Sequence, residues 1–237
     1  MNLVSQLKTA LHRFLRLLTP HHHYSESLQG TVAEQFHKMY YDLGEQGRTW
    51  LDTRWLGVPV AKIPFDLWVY QEILFETKPD LIIECGTAKG GSAYYFACLM
   101  DMLGKGQIVT IDVMPFADRP NHPRIKYLAG SSVSEKIVEE VKKHVVSSQS
   151  VMVILDSDHS APHVYAELQI YSKFVTKGTY LVVEDSNVNG HPVWPTHGPG
   201  PMEAVKKFLE ETNQFQVDKS REKFLVSFNP NGYLKRI

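Results

Sequence analysis

Short apolar runs alternate with amphipathic stretches along most of the chain. Five runs rich in Val, Ile and Leu have the length of buried strands, at residues 81–83, 107–111, 124–128, 151–155 and 179–183. Stretches with helical spacing predict helices over residues 90–103, 133–147, 160–175 and 201–211. Two final runs near residues 214–218 and 223–228 predict a closing antiparallel hairpin. The pattern predicts an α/β fold with a Rossmann-like, seven-stranded, mostly parallel sheet and helices on both faces.

The first residues of the chain predict a separate amphipathic helix. Leu3, Leu7 and Leu11 recur at helical spacing within residues 2–18, whose polar face is basic and has no acid. Such a helix suits contact with an anionic membrane surface or with a neighbouring subunit. The alternative is a helix that packs on its own domain.

The chain divides into an extension and one domain. We predict an amphipathic helix and linker over residues 1–30 and a single Rossmann-like domain over residues 31–237. Within that domain, residues 31–79 form a helical cover and residues 80–237 form the catalytic core. An extension before a nucleotide-type core often covers the ligand.

The cover contains an aromatic segment that ends in a helix. Pro64 suits the first position of a helix that we predict to reach about Glu76. Trp55 and Lys62 are candidate pocket residues, although core packing is the favoured role for Trp55 and for Trp68.

Composition excludes several classes of protein. The chain has 237 residues and a formal net charge of −1, so nothing indicates nucleic-acid binding. Cys85 and Cys98 form no CxxC pair, and we interpret both as reduced thiols of a cytoplasmic protein. Lys8, Arg13 and Arg16 interrupt the N-terminal apolar residues, so no signal peptide is predicted. No apolar run has the length of a membrane span.

A glycine-rich turn follows the first strand of the core. Glu84 stands two residues before Gly86, and Gly90 and Gly91 follow. A dinucleotide site needs G-x-G-x-x-G, and the second of those glycines is missing here. An acid followed by G-x-x-x-G is typical of the S-adenosylmethionine loop of Rossmann-like methyltransferases, in which Glu84 would hold the amino group of the methyl donor directly or through water. The alternative is an ordinary turn between a strand and a helix.

Other residues complete a predicted donor site. Asp112 ends the second strand, 28 residues after Glu84, where an acid accepts hydrogen bonds from ribose hydroxyls. Small residues around Ser131 would form the floor of an adenine pocket. The predicted donor-binding residues are Glu84, Gly86, Thr87, Gly90, Gly91, Ser92, Asp112, Ser131 and Asp156.

Three acids follow the fourth and fifth strands of the core. Asp158, Glu184 and Asp185 would meet at one edge of a parallel sheet, where carboxylate oxygens suit Mg²⁺. A cation would also relieve the repulsion between these carboxylates. Asp156 competes with Asp158 for the first ligand position, and we prefer Asp158 because it comes later on the way out of the sheet. The alternative is a set of surface acids or helix caps.

Histidines near these acids are candidates for a general base. His159 adjoins a predicted ligand, and histidine is the side chain that most often exchanges protons near neutral pH. His163 and His191 are the alternatives. Residues 187–201 are rich in Gly, Pro, His and Trp, and a loop of this length favours a lid over the site, with a structured surface loop as the alternative.

From about residue 50 onward the chain resembles the cephalosporin-hydroxylase-type family of S-adenosylmethionine-dependent O-methyltransferases. The matching stretches are WLGVPVAKIPFDLWVYQEILFETKPDLIIECGT, LDSDHSAPHV and VVEDSNVNGHPVW. The resemblance implies a Mg²⁺-dependent enzyme, similar in logic to catechol and sugar O-methyltransferases, and relatives that act on antibiotic precursors, sugars or lipid-linked glycans. It implies donor binding by Glu84, Gly86 and Asp112 and metal binding by Asp158, Glu184 and Asp185. Residues 1–30 lie largely outside it.

The function that we predict is methyl transfer from S-adenosylmethionine to a hydroxyl of a small molecule or glycan, with Mg²⁺ as second cofactor. A metal-dependent hydroxylase on the same fold is one alternative, although the acids lack the two-histidine, one-carboxylate set of non-haem iron. A membrane-associated scaffold that binds the donor without turnover is another. We expect a cytoplasmic homo-oligomer, with peripheral membrane contact through residues 2–18 as a further possibility.

Overall fold

A computed structural model describes residues 25–114 and 116–237. The chain divides into two compact units, Met1–Gln35 and Phe36–Ile237. The predicted amphipathic helix over residues 2–18 lies outside the described residues. The first described helix begins at Glu26, so the last residues of the predicted linker are helical.

Six α-helices lie within the described residues, most of them close to their predicted positions. They are α1 (Glu26–Glu45), α2 (Pro64–Thr77), α3 (Gly91–Leu103), α4 (Glu135–Val145), α5 (Ala161–Tyr171) and α6 (Pro201–Glu211). Pro64 and Pro201 each occupy the start of a helix, where the missing N–H costs nothing. No helix in these described ranges is long and apolar enough to cross a membrane.

The described strands form one small and one large sheet. They are β1 (Arg54–Trp55), β2 (Val58–Pro59), β3 (Leu81–Cys85), β4 (Gln107–Asp112), β5 (Ile125–Ala129), β6 (Val151–Leu155), β7 (Tyr180–Val183), β8 (Phe215–Val217) and β9 (Tyr233–Arg236). β1 and β2 pair with each other, and the other seven follow the order β5-β4-β3-β6-β7-β9-β8. β3 to β7 are parallel, whereas β9 is antiparallel to both β7 and β8. This arrangement confirms the predicted Rossmann-like sheet.

Both faces of the large sheet are covered, which explains its continuous apolar strands. Leu81 and Ile83 of β3 face a core formed with α4, α5 and α6. Ile82, between them, faces the opposite core, which α2 and α3 complete. The carboxyl ends of the parallel strands therefore meet at one edge of a rigid layer.

Residues 223–228 do not form the second strand that we predicted. Residues 219–222 are a 3₁₀ helix, and the partner of β8 is β9, further along the chain. The N–H of Phe228 donates to Asp66 Oδ2 at 2.8 Å, and its ring packs edge-on against Tyr41 and Trp50. Val226 and Phe228 are thus buried, and Phe228 packs against the cover, whereas Leu225 is exposed.

Candidate active site

The glycine turn and the acids lie next to each other because they follow neighbouring strands. β6 is hydrogen-bonded to β3 on one side and to β7 on the other. Gly86 has a φ of +101°, and a Cβ placed there would lie 1.7 Å from the carbonyl oxygen of Asp156. Only glycine allows this approach, so the turn after β3 packs directly on the loop after β6.

Asp112 fixes the shape of the glycine turn. Its Oδ2 accepts hydrogen bonds from the N–H groups of Thr87 at 3.0 Å and Ala88 at 2.7 Å. Its Oδ1 accepts from the N–H of Met114 at 2.8 Å. Arg119 Nη2 also lies 3.4 Å from Oδ2, so the acceptor position that remains for a ligand hydroxyl is the second one of Oδ1.

Glu84 lies beneath the turn and is fully buried. Its oxygens accept hydrogen bonds from the hydroxyls of Ser92 and Thr110, both at 2.5 Å. Burial raises the pKa of Glu84 to about 7, although both hydroxyls oppose that rise. Direct contact of Glu84 with a ligand, one of the two predicted modes, does not fit this geometry, whereas Ser92 faces a cavity.

Two adjoining cavities follow the strand ends, and Gly86 and Asp156 line both of them. The smaller has a volume of about 410 Å³ and is also lined by Asp112, Ser131 and His163.

The larger cavity, of about 580 Å³, reaches Thr87, Gly91 and Ser92 of the turn. Gly90, another predicted donor residue, lines neither cavity and serves as the left-handed cap of α3.

Asp156, His159 and Asp185 form the acid cluster of the site, with one candidate ligand atom from each within 4.8 Å of the others. His159 Nε2 lies 3.2 Å from Asp185 Oδ2 and 4.0 Å from Asp156 Oδ1. All three side chains line the larger cavity. An imidazole and two carboxylates on one cavity wall form a set that can bind a cation and accept a proton.

Asp158 lies apart from this cluster. Its Oδ1 accepts the N–H of Ser160 at 2.8 Å, at the start of α5. Hydrogen bonds from the side chain and the backbone of Ser160 lower the pKa of Asp158. The geometry therefore favours Asp156, the alternative, over the preferred Asp158. The order of the two acids along the chain did not reveal which of them turns towards Asp185.

The three candidate bases lie in different surroundings. His163 Nε2 is 3.2 Å from Ser132 Oγ, and its hydrogen bond with Glu167 raises its pKa. His191 Nε2 lies 2.8 Å from Glu203 Oε1. Of the three, His159 is the one that belongs to the acid cluster.

Glu184 is buried behind the acid cluster, where a lysine neutralises it. Lys62 Nζ lies 2.7 Å from Glu184 Oε1 and 2.7 Å from Asp156 Oδ2. Tyr70 donates its hydroxyl to the same Glu184 oxygen at 2.5 Å. Burial raises the pKa of Glu184 and of Asp156, and the Lys62 charge opposes this rise.

Lys62, a predicted pocket residue, lines neither cavity and instead pairs with Asp156 and Glu184, and the aromatic residues of the cover differ in part from expectation. Trp55 packs edge-on against Tyr95, at 4.9 Å between ring centroids, which agrees with a packing role. Trp68 is 59% exposed, so its predicted core role is wrong. Tyr41 and Trp50 line the larger cavity, and only the general aromatic content of the cover indicated them.

The loop between β7 and α6 forms a wall of the larger cavity through Val188, Trp194 and His197. Glu203 fastens this loop, because it accepts hydrogen bonds from the Asn189 side chain at 3.1 Å, from His191 at 2.8 Å and from the N–H of Gly200 at 2.7 Å. Burial would raise the pKa of Glu203, but these hydrogen bonds lower it to about 2. The loop has the position expected of a lid, and its movement stays a prediction.

Comparisons with known proteins agree with this geometry. The family model described as Rhamnosyl O-methyltransferase/CmcI matches residues 47–237. A rhamnosyl O-methyltransferase of Mycobacterium bovis (strain BCG / Pasteur 1173P2) is 41% identical over 212 residues, which cover 86% of this chain and 85% of that protein. A rhamnosyl O-methyltransferase of Mycobacterium leprae (strain TN) is 38% identical over 215 residues, 87% of this chain and 91% of that protein. A solved structure described as "cmcI-D160 Mg-SAM" has the same fold, with a TM-score of 0.61 and 20% identity over 79% of this chain and 77% of that one.

Proposed function

Since this chain belongs to the Rhamnosyl O-methyltransferase/CmcI family and is an O-methyltransferase, we propose that it transfers a methyl group from S-adenosylmethionine to a hydroxyl of a sugar or another small molecule. The observation that carries this proposal is the position of the acid cluster. Asp156, His159 and Asp185 line the same cavity as Gly86, Thr87 and Ser92 of the glycine turn. A nucleophile and a methyl donor would meet there.

The smaller cavity is the proposed site of the adenosyl part of the donor. Asp112 has an acceptor position left for a ribose hydroxyl, and Ser131 lines the same cavity. Glu84 would act indirectly, because it orients the Ser92 hydroxyl that faces the larger cavity. We expect the donor to bind with micromolar affinity or tighter, about −8 kcal/mol.

A divalent cation fits the acid cluster, because carboxylate oxygens are the ligands that Mg²⁺ prefers. Asp156 and Asp185 would hold it, whereas Glu184, a predicted ligand, stays paired with Lys62 behind them, and Asp158 would not take part. When bound, such a cation lowers the pKa of a nearby hydroxyl as a Lewis acid. The chain itself contributes the base, since the His159 side chain lines the same cavity and its imidazole can take the hydroxyl proton.

The acceptor would occupy the rest of the larger cavity. Tyr41, Trp50 and Trp194 give this space an aromatic lining, which suits a ligand with an apolar face and a few polar groups. The relatives described above are named for a rhamnosyl acceptor. A rhamnoside is therefore the first acceptor to test, with other sugars and catechols as the comparison panel.

The test measures donor binding and methyl transfer separately. EDTA should abolish transfer while calorimetry still detects S-adenosylmethionine binding, and Mg²⁺ should restore transfer. His159→Ala should lower kcat by about 10²- to 10⁴-fold with donor affinity unchanged. His144→Ala, on α4, is the matched control and should behave like the wild type.

Two results would contradict the proposal. Full transfer in EDTA would exclude the cation, and binding of a nicotinamide dinucleotide in place of S-adenosylmethionine would exclude the donor.

A further inference from the structure

Lys62 is a buried charge whose contacts connect the cover to the acid cluster. It lies between β2 and α2, its side chain is 4% exposed, and its nearest partners are 94 residues away or more along the chain. Removing a charged group this far from water is unfavourable unless opposite charges surround it. The carboxylates of Asp156 and Glu184, each at 2.7 Å, supply those charges.

Asp156 uses its two oxygens for different purposes. Oδ2 contacts Lys62 at 2.7 Å, whereas Oδ1 is the oxygen nearer to His159, at 4.0 Å. Asp156 is also a member of the acid cluster that would hold a divalent cation. The lysine ammonium and the cation would therefore share one carboxylate.

The formal charges of the acids balance those of one lysine and one divalent cation. Asp156, Glu184 and Asp185 together carry three negative charges when ionised, and Lys62 offsets one of them. The remaining two charges equal the charge of one divalent ion. Two cations that share a carboxylate repel each other, and this repulsion is strong where little water is present to screen it.

We propose that Lys62 is a built-in counter-ion that stabilises the metal-free protein and weakens its binding of divalent cations. The inference rests on the cation site of the proposed function. In the metal-free protein, Lys62 limits the repulsion between Asp156 and Glu184. In the loaded protein, the same charge opposes the ion, so the affinity for the cation is lower than the three acids alone would give.

The experiment uses Lys62→Met, which keeps the length of the side chain and removes its charge. In EDTA, the variant should melt about 5 °C or more below the wild type, because the buried Glu184 and the partly buried Asp156 lose their partner. Calorimetry should show Mg²⁺ binding at least about tenfold tighter than in the wild type. Mg²⁺ should therefore raise the melting temperature of the variant more than that of the wild type.

Lys105→Met is the matched control. Lys105 pairs with Asp80 at 2.6 Å, far from the acid cluster, so this variant loses one paired lysine without touching the site. Its affinity for Mg²⁺ should equal that of the wild type. A wild type that binds no Mg²⁺ would refute the proposed cation site, whereas the melting temperatures in EDTA would still report the counter-ion role of Lys62.

Unchanged melting of Lys62→Met in EDTA would overturn the inference, and so would equal or weaker Mg²⁺ binding by this variant. If Lys62→Met does not fold in EDTA, the triple variant Lys62→Met/Asp156→Asn/Glu184→Gln removes the charges of both partners of Lys62 as well. Folding of the triple variant would support the inference. An unfolded triple variant would show that Lys62 acts through packing and would overturn it.

Discussion

Glu84→Gln should make the stability of this protein less dependent on pH. Burial raises the pKa of Glu84 from 4.5 to about 7 in the folded protein. Each unit of pKa corresponds to about 1.36 kcal/mol, so ionised Glu84 costs the folded state about 3 kcal/mol. The side chain is fully buried, and solvent screening therefore reduces this cost little.

The sign follows from proton binding. Between pH 4.5 and 7 the folded protein keeps a proton on Glu84 that the unfolded chain releases, so the free energy of unfolding falls as the pH rises. Glutamine has no proton to lose, and its amide can still bond with the Ser92 and Thr110 hydroxyls. The advantage of Glu84→Gln over the wild type should therefore grow by about 2–3 kcal/mol between pH 5 and pH 8.

Urea unfolding at both pH values, at one ionic strength, measures this difference. Glu210→Gln, at an exposed position of α6, is the matched control and should leave the pH dependence unchanged. Other buried acids also titrate, but they do so in the wild type and in the variant alike. If the free energy of unfolding changed equally with pH in Glu84→Gln and in the wild type, Glu84 would not be a buried carboxyl with a raised pKa.

Two further predictions concern the turn and the N-terminal segment. Gly86→Ala should lower the free energy of unfolding by at least about 2 kcal/mol and abolish donor binding in calorimetry, because a Cβ would meet the Asp156 carbonyl. Gly104 also has a positive φ, but a Cβ added there would meet open space, so Gly104→Ala should lower the free energy of unfolding by only about 1 kcal/mol. Equal losses of stability in the two variants would exclude the clash at Gly86. Deletion of residues 2–18 should abolish flotation with anionic vesicles or change the sedimentation of the protein. If it does neither, the remaining hypothesis is that this helix packs on its own domain.

Much of the fold could be predicted because its signals are local. The run Val151–Leu155 is apolar throughout, and Pro201 begins a helix that ends at Glu211, as expected. Residues 223–228 show where this reasoning fails. Their apolar side chains signal burial, but the sequence does not say whether a sheet or the cover provides it.

The site could be predicted less completely, because its contacts join distant parts of the chain. The order of strands placed the acids at one edge, but the choice between Asp156 and Asp158 depends on the direction in which each side chain leaves the loop. Lys62 was a candidate pocket residue only because it lies in an extension that was expected to cover the ligand. Its pairing with Glu184 requires the cover to fold over the strand ends, and no local pattern shows that.

The contact between Gly86 and the Asp156 carbonyl bears on how the acceptor preference of the enzyme can change, in evolution or by design. It sets the spacing between the glycine turn and the acids at the carboxyl ends of the central strands, so the chemistry is built into the sheet. Trp50 and Trp194, which line the acceptor side, belong to the cover and to the loop before α6. We therefore expect that grafting the residues around Trp50 and the loop before α6 from a relative, with Lys62 retained beside the acids, would transfer acceptor preference without rebuilding the reaction centre.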